Sequence, residues 1–300
     1  MGMLSLLIGV PVVGGLALLL APSEQKSLLY RLAIVLGAIP LLISIVIWSQ
    51  FQAGSQGYQF VESFDWVPSL GIRYHLGLDG ISLALVLLTA LVFLLAAVAS
   101  AGIKERVKEY FVLLYILEGA VMGVFLALDY ILFYLFWEIM LIPMYFLIAI
   151  WGGPRREYAA LKFLIYTFVG SLIMLVGIVA LYLGTGANSF GIPEIAQAAQ
   201  GLPANIQLWV LLAFLLGFGV KVPIFPFHTW LPDAHVEAPT PISAILAAVL
   251  LKLGTYALVR IAMPTVPDAW ESIAWLLALI GVINILYGGL AALVQKDMKK

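Results

Sequence analysis

Nine apolar stretches dominate this sequence, at about 3–21, 28–50, 80–100, 110–128, 129–150, 161–184, 206–230, 241–263 and 272–294. Most approach the ~20 residues that cross a ~30 Å hydrocarbon core as a helix. Lipid offers backbone amides no partner, so apolar runs of this length close their hydrogen bonds within themselves as helices. Composition agrees: the chain is 64% hydrophobic and 10% charged, against roughly half and roughly a quarter in soluble domains. The expected fold class is therefore all-α integral membrane, with about nine transmembrane helices. The first ten residues, MGMLSLLIGV, carry no basic segment and read as a retained spanning helix rather than a signal peptide.

Two connections between these stretches are long. Residues 52–79 alternate aromatic with polar positions and predict a short hairpin or interfacial piece. Residues 185–205 contain PEIAQAA, which predicts a short surface helix. The glycine-rich GTGANSFG at 184–191 lacks the strand-to-helix context of a phosphate loop and reads as a plain loop. With the N-terminus outside, eleven Lys and Arg residues fall on the inner side and two, Arg73 and Arg260, on the outer side. That bias predicts nine crossings with the C-terminus of this segment inside.

Several charges lie where a bilayer tolerates them least. If 110–128 and 129–150 form a hairpin turning near Asp129, Glu118 and Glu138 each lie about 14–16 Å from the turn, close to the midplane. Lys252 is the twelfth residue of its stretch and is also central. Lys221 follows fifteen residues of its own stretch, about 22 Å along it. The expectation is that these four cluster at membrane depth. Each costs roughly 2.5–3.5 kcal/mol at a helix centre, so the four cost on the order of 10 kcal/mol unless paired or wet. Buried ion pairs are poor stabilisers, so a functional reading is preferred to a structural one. Asp129, Lys162 and Arg260 lie near helix ends and read as snorkelling or interfacial residues.

The stretch at 206–230 has to break. Pro223 and Pro226 lack amide hydrogens, and their rings clash with the carbonyls of Gly219 and Val222. The helix is expected to end near Lys221 and to resume around 224–230. Its C-terminal end carries partial negative charge, which favours an ammonium at Lys221. Broken helices with charges at the break mark ion-translocating folds. A lysine in a dry site sheds its proton more readily, and a nearby carboxylate makes it hold on. Movement of Glu138 relative to Lys221 would therefore switch proton retention. Pro143 is expected to kink the fifth stretch just after Glu138.

His228 and His235 follow the break, with Asp233 and Glu237 nearby. Their spacing matches no standard zinc motif, and no metal site is expected. Imidazole titrates near neutral pH, which suits a hydrated relay from Lys221 to Lys252. A satisfied structural histidine is the alternative at each position. There are no cysteines, which excludes thiolate-held clusters, Cys-ligated zinc and disulfides in the chain. The lipid-like composition leaves no role for nucleic acid.

These residues carry a resemblance. FWEIMLIPMYFLIAIWGG (136–153), YAALKFLIYTFVGSLIML (158–175) and the run from Val220 to Arg260 resemble the antiporter-like, proton-translocating membrane subunits of respiratory complex I. GLDGIS (77–82) and LEGAVMGVFLALD (117–129) fit the same chain M (chain 4) type, a family shared with multi-subunit Na+/H+ antiporters. The resemblance implies a proton path through Glu138, Lys221, Lys252 and Glu118, with His228 and His235 as the linking histidines. It implies no cofactor in this chain, with iron–sulfur clusters, FMN and quinone in other subunits. It implies as partners the other membrane-arm subunits, neighbouring antiporter-like ones included, with lipid and protons. The implied location is a bacterial plasma membrane rather than a thylakoid.

The same family has about fourteen helices containing two inverted repeats of five. This implies a three-helix N-terminal region at 1–109 with the hairpin-like loop at 52–79. A first five-helix repeat follows at 110–263, and 264–300 is the start of a second, apparently truncated repeat. The ionisable residue of helix 12 in that family has no counterpart in this sequence. The expected function is proton pumping coupled to quinone reduction elsewhere in an NADH:quinone oxidoreductase, so the chain is a translocase subunit with no redox centre of its own. The alternatives are a subunit of a multi-subunit Na+/H+ antiporter or of a membrane-bound hydrogenase, and a non-conducting structural subunit.

Overall fold

The computed structural model describes residues 2–297 and 299. Lys300, counted above among the inner cations, lies outside the described residues. Among the described residues, nine helical units are long and apolar enough to cross a membrane, from Met3–Leu20 to Ala274–Leu293.

The first two spans contain α1 (Met3–Ala17) and α2 (Lys26–Gln50). The loop after α2 holds an antiparallel hairpin, β1 (Gln59–Val67) and β2 (Ile72–Leu78), with Phe64 opposite Tyr74 and Asp65 opposite Arg73. Of the two readings of 52–79, the structure takes the hairpin. The hairpin also ties down the first span. Glu62 accepts hydrogen bonds from the Leu4 and Ser5 amides at 2.7 and 3.2 Å, giving two of the unpaired donors at the start of α1 a partner.

Asp79 caps α3 (Gly80–Ala99) by accepting from the Ser82 amide at 2.9 Å. Next comes α4 (Val107–Leu126), the most deeply enclosed span. The turn to α5 (Tyr130–Ile139) is fixed by Asp129, which accepts from the Ile131 and Leu132 amides at 2.9 and 3.2 Å and from the Arg73 amide at 3.1 Å. Asp129 is fully buried; it is a helix cap and not a snorkelling residue. The fifth span is interrupted at Met140 before α6 (Leu141–Trp151). Pro143 explains the interruption, since it offers no amide to the Ile139 carbonyl and its ring crowds that oxygen.

The sixth span is α7 (Arg156–Thr185), followed by the short α8 (Ile192–Ala199), which buries Ile192, Ile195 and Ala199. α9 (Ala204–Lys221) stops at Lys221. The chain then runs through non-helical turns over 222–229, and α10 (Trp230–Glu237) begins at Trp230, the far end of the expected 224–230. Two prolines three residues apart remove two amide donors, so no helical turn forms between them.

The eighth span is discontinuous in a different way. It comprises α11 (Thr240–Ile245), a π-helical turn (Leu246–Leu250), α12 (Leu251–Ala257), a second π-helical turn (Leu258–Ala262) and α13 (Met263–Thr265). Lys252 lies between the two wide turns. Then come α14 (Pro267–Ser272) and α15 (Ala274–Leu293), which has no buried residue.

At the hairpin end of the bundle the backbone is sewn together. Leu128 donates to the His75 carbonyl at 2.8 Å, Ile192 donates to the Leu128 carbonyl at 2.8 Å, and Tyr130 donates to the Phe190 carbonyl at 2.9 Å. The α4–α5 turn thus serves as a short extra strand between β2 and the segment entering α8.

Candidate functional site

The site is assembled where α5, α7 and α9 meet. The final residue of α9, Lys221, is 1% exposed, and its Nζ has no hydrogen-bond partner. The ammonium stands 5.5 Å from the centre of the Trp137 ring and 5.4 Å from that of Phe163. Glu138 follows Trp137 at the end of α5, so the carboxyl and the ring are carried to Lys221 by one helix end. No direct ion pair joins Glu138 to Lys221 among the described residues. The Glu138 carboxyl faces the Tyr134 and Ser171 hydroxyls, and its Oε1 is buried without a partner.

The expected cluster of four is reduced to this couple. Glu118 is fully buried, and both its carboxyl oxygens lack partners. Counting along the helix did not give it a charged partner. Lys252 is exposed, and its ammonium donates to the Ala247 carbonyl at 2.7 Å. That acceptor belongs to the first π-helical turn, where the wider spacing leaves carbonyls free of the usual helical donor.

The two histidines occupy different surroundings. The His228 ring packs against Phe225 and Tyr287, with centres 5.6 and 5.0 Å away, in a triangle closed by a 5.0 Å contact between those two rings, and its Nδ1 is buried and unpaired. It lines a cavity of about 380 Å³ between the 222–232 segment and α15, to which Asn284 and Gln295 add polar groups. His235 Nδ1 meets the Ser243 hydroxyl at 2.8 Å. No direct hydrogen bond links either ring to Lys221 or Lys252 among the described residues.

Two residues expected to snorkel are instead ion-paired. Lys162 donates to Asp233 at 2.7 Å, with Arg155 at 3.8 Å from the same carboxylate and 3.7 Å from Glu237. Arg260 Nε lies 2.9 Å from Asp79 at an angle that makes no hydrogen bond, with its guanidinium 4.6 Å from the Tyr58 ring centre. The partners were invisible because they lie about 70 and about 180 residues away along the chain, and hydropathy carries no signal of such pairing. Trp137 and Phe163 went unnoticed for a similar reason, since aromatic residues in spanning helices are ordinary core.

Comparison with known proteins adds an independent line. The family described as "NADH:quinone oxidoreductase/Mrp antiporter, TM" matches residues 127–300. NAD(P)H-quinone oxidoreductase chain 4 3 of Picosynechococcus sp. is 42% identical over 99% of this chain and 54% of its own length. NADH-quinone oxidoreductase subunit M of Rickettsia bellii is 38% identical over 99% of this chain and 61% of its own. A chain of respiratory complex I from Thermus thermophilus superposes with a TM-score of 0.87 at 30% identity, covering 99% of this chain and 60% of that one. The chain thus spans between half and two thirds of the length of these relatives.

Proposed function

The chain belongs to the NADH:quinone oxidoreductase/Mrp antiporter membrane family, and on that premise we propose that it moves protons as a membrane-arm subunit of a quinone oxidoreductase. The observation that carries this reading is the Lys221–Glu138 couple: a buried ammonium without a hydrogen bond at the end of a half-helix, 5.5 Å from the ring of Trp137, whose neighbour Glu138 carries a buried, unpaired carboxyl oxygen. Such a couple does little for stability, because desolvation offsets the attraction. It is well suited to exchange a proton when the separation changes. Proton retention at Lys221 depends on the nearby negative charge, so protonation or withdrawal of Glu138 releases the proton from the lysine.

In this reading electron transfer occurs in partner subunits, which hold the flavin, the iron–sulfur clusters and the quinone, and the chain supplies only the ion path. α4 to α13 form the first repeat of the pathway. Lys252, which is exposed, hands the proton toward whatever covers that side of the eighth span. His228 and the cavity it lines offer the polar ground between the break and α15. The N-terminus lies outside and the inner side carries the basic loops, in a bacterial plasma membrane.

The test is Lys221→Ala and Glu138→Ala in the intact membrane complex, reconstituted in vesicles. The expected result is normal assembly and quinone reduction with proton uptake lost. Full proton uptake in Lys221→Ala sinks the proposal. Uptake driven by sodium rather than by quinone reduction points instead to the antiporter branch of the same family.

A further inference from the structure

Lys221 raises a question that the carboxyl opposite it does not answer. An ammonium in a dry site needs compensation. A carboxylate at contact distance would provide it, but would also trap the proton. The structure provides something else, since two aromatic faces stand about 5.5 Å from Nζ, within the ~6 Å range at which a ring quadrupole attracts a cation. A ring face stabilises positive charge without being a base, so it cannot compete for the proton it helps to hold.

Both rings are themselves fixed. Trp137, from α5, packs against Phe133 and Phe218 at 5.4 and 5.7 Å between centres. Phe163, from α7, packs against Trp230 at 5.5 Å. Trp230 in turn donates from Nε1 to the Val220 carbonyl at 2.9 Å, on the residue before Lys221. The half-helix end, the restart of the chain at α10 and one of the two rings are therefore coupled. All five aromatic side chains are essentially fully buried.

We propose that Trp137 and Phe163 form an aromatic clamp that holds Lys221 in place as a cation while leaving its proton free to depart, and that Trp137 is a positioning residue for proton transfer. The inference rests on the reading of Lys221 as a proton-path residue. Trp137 and Glu138 are neighbours at the end of α5, so one helix end presents both the ring and the carboxyl. A shift of that end, next to the interruption at Met140, changes both together.

The experiment uses the intact reconstituted complex with Trp137→Phe, Trp137→Leu, Phe163→Leu and Lys221→Met. Tryptophan is the strongest cation partner of the aromatic residues and leucine offers no π face. The rate of proton uptake through this chain is expected to fall about threefold in Trp137→Phe and about tenfold to thirtyfold in Trp137→Leu. The loss of thermal stability caused by Trp137→Leu is expected to shrink in the Lys221→Met background, because no cation is left to serve. Mere packing would give the same loss in both backgrounds. Equal losses, or native uptake in Trp137→Leu beside a dead Lys221→Met, overturn the clamp and leave the proton-path reading standing. Native uptake in Lys221→Met overturns both. Should Trp137→Leu fail to assemble, Phe163→Leu removes the other face and is judged by the same two comparisons.

Discussion

Gly254 lies in α12, two residues beyond Lys252, where the eighth span crosses the end of α9. A β-carbon at Gly254 would lie 2.8 Å from the Phe218 carbonyl oxygen, 2.8 Å from the Val222 amide nitrogen and 2.7 Å from Val222 Cγ2. Two of these are backbone atoms joined by the last hydrogen bond of α9, Val222 to Phe218 at 2.8 Å. Gly254→Ala therefore needs a relative displacement of about 0.6 Å before ordinary contact is restored. Overpacking of this kind costs about 1–3 kcal/mol. Alanine in a helix interior returns about 1 kcal/mol over glycine. The net expectation is a loss of about 0–2 kcal/mol in stability, with a larger effect on transport. The displaced atoms adjoin Lys221, and a misplacement of ~1 Å at a reacting group can cost about a hundredfold. The control is Gly80→Ala at the start of α3, where no atom lies within 4 Å of the new carbon. Thermal inactivation of the detergent-solubilised complex and proton uptake in vesicles measure the two effects. Uptake is expected to fall at least tenfold in Gly254→Ala and to stay native in Gly80→Ala. If the two variants behave alike, the close approach of α12 to the half-helix end plays no part in placing Lys221.

Other consequences are simpler to check. Glu62→Ala removes the acceptor for the Leu4 and Ser5 amides, so α1 should lose about 0.5–2 kcal/mol of cap energy, seen as faster amide exchange confined to its first turn. Glu62→Gln, which keeps an acceptor, should restore most of the protection. At the hairpin end, burial alone would raise the Glu194 carboxyl, but the hydrogen bond and charge of Arg73 more than offset it and hold the group below its ordinary value of 4.5. A carboxylate lowered in the fold contributes stability that is present above its unfolded value and is lost as pH falls through the folded one. Exchange in β2 and α8 should therefore rise as the pH drops below about 4.5, and Glu194→Gln should abolish that dependence. The effect is expected to be small, because the pair is part exposed.

The spans were legible because lipid imposes one simple demand, a run of apolar residues long enough to cross it. The turn near Asp129 was legible as the junction of two apolar stretches, and the interruption after Glu138 because proline acts locally; the capping role of Asp129 was missed, since a carboxylate at a helix end reads equally well as an interfacial charge. What escaped was angular and long-range. Counting residues along a stretch carries no information on the side of the helix that Glu118 or Lys252 occupies, so an isolated carboxyl and an exposed lysine were both assigned to one cluster. The π-helical turns around Lys252 have no compositional mark, and each added residue rotates everything after it by about 100°. The ion pairs of Lys162 with Asp233 and of Arg260 with Asp79 join residues that only the folded chain brings together.

The sewn backbone at the hairpin end has a practical consequence for anyone labelling this protein. Short turns between spanning helices are usually convenient places for an epitope or a fluorophore. The turn at 127–129 is not one, since its amides and carbonyls are committed to β2 and to the segment entering α8; added residues there would unpick three chain segments at once. The hairpin approach at Gly54 and Gly57 is different. Both residues have positive φ and no neighbour within 4 Å of a would-be β-carbon, so a tag placed between them meets only open space and leaves the ammonium, its rings and its carboxyl untouched at the other end of their helices.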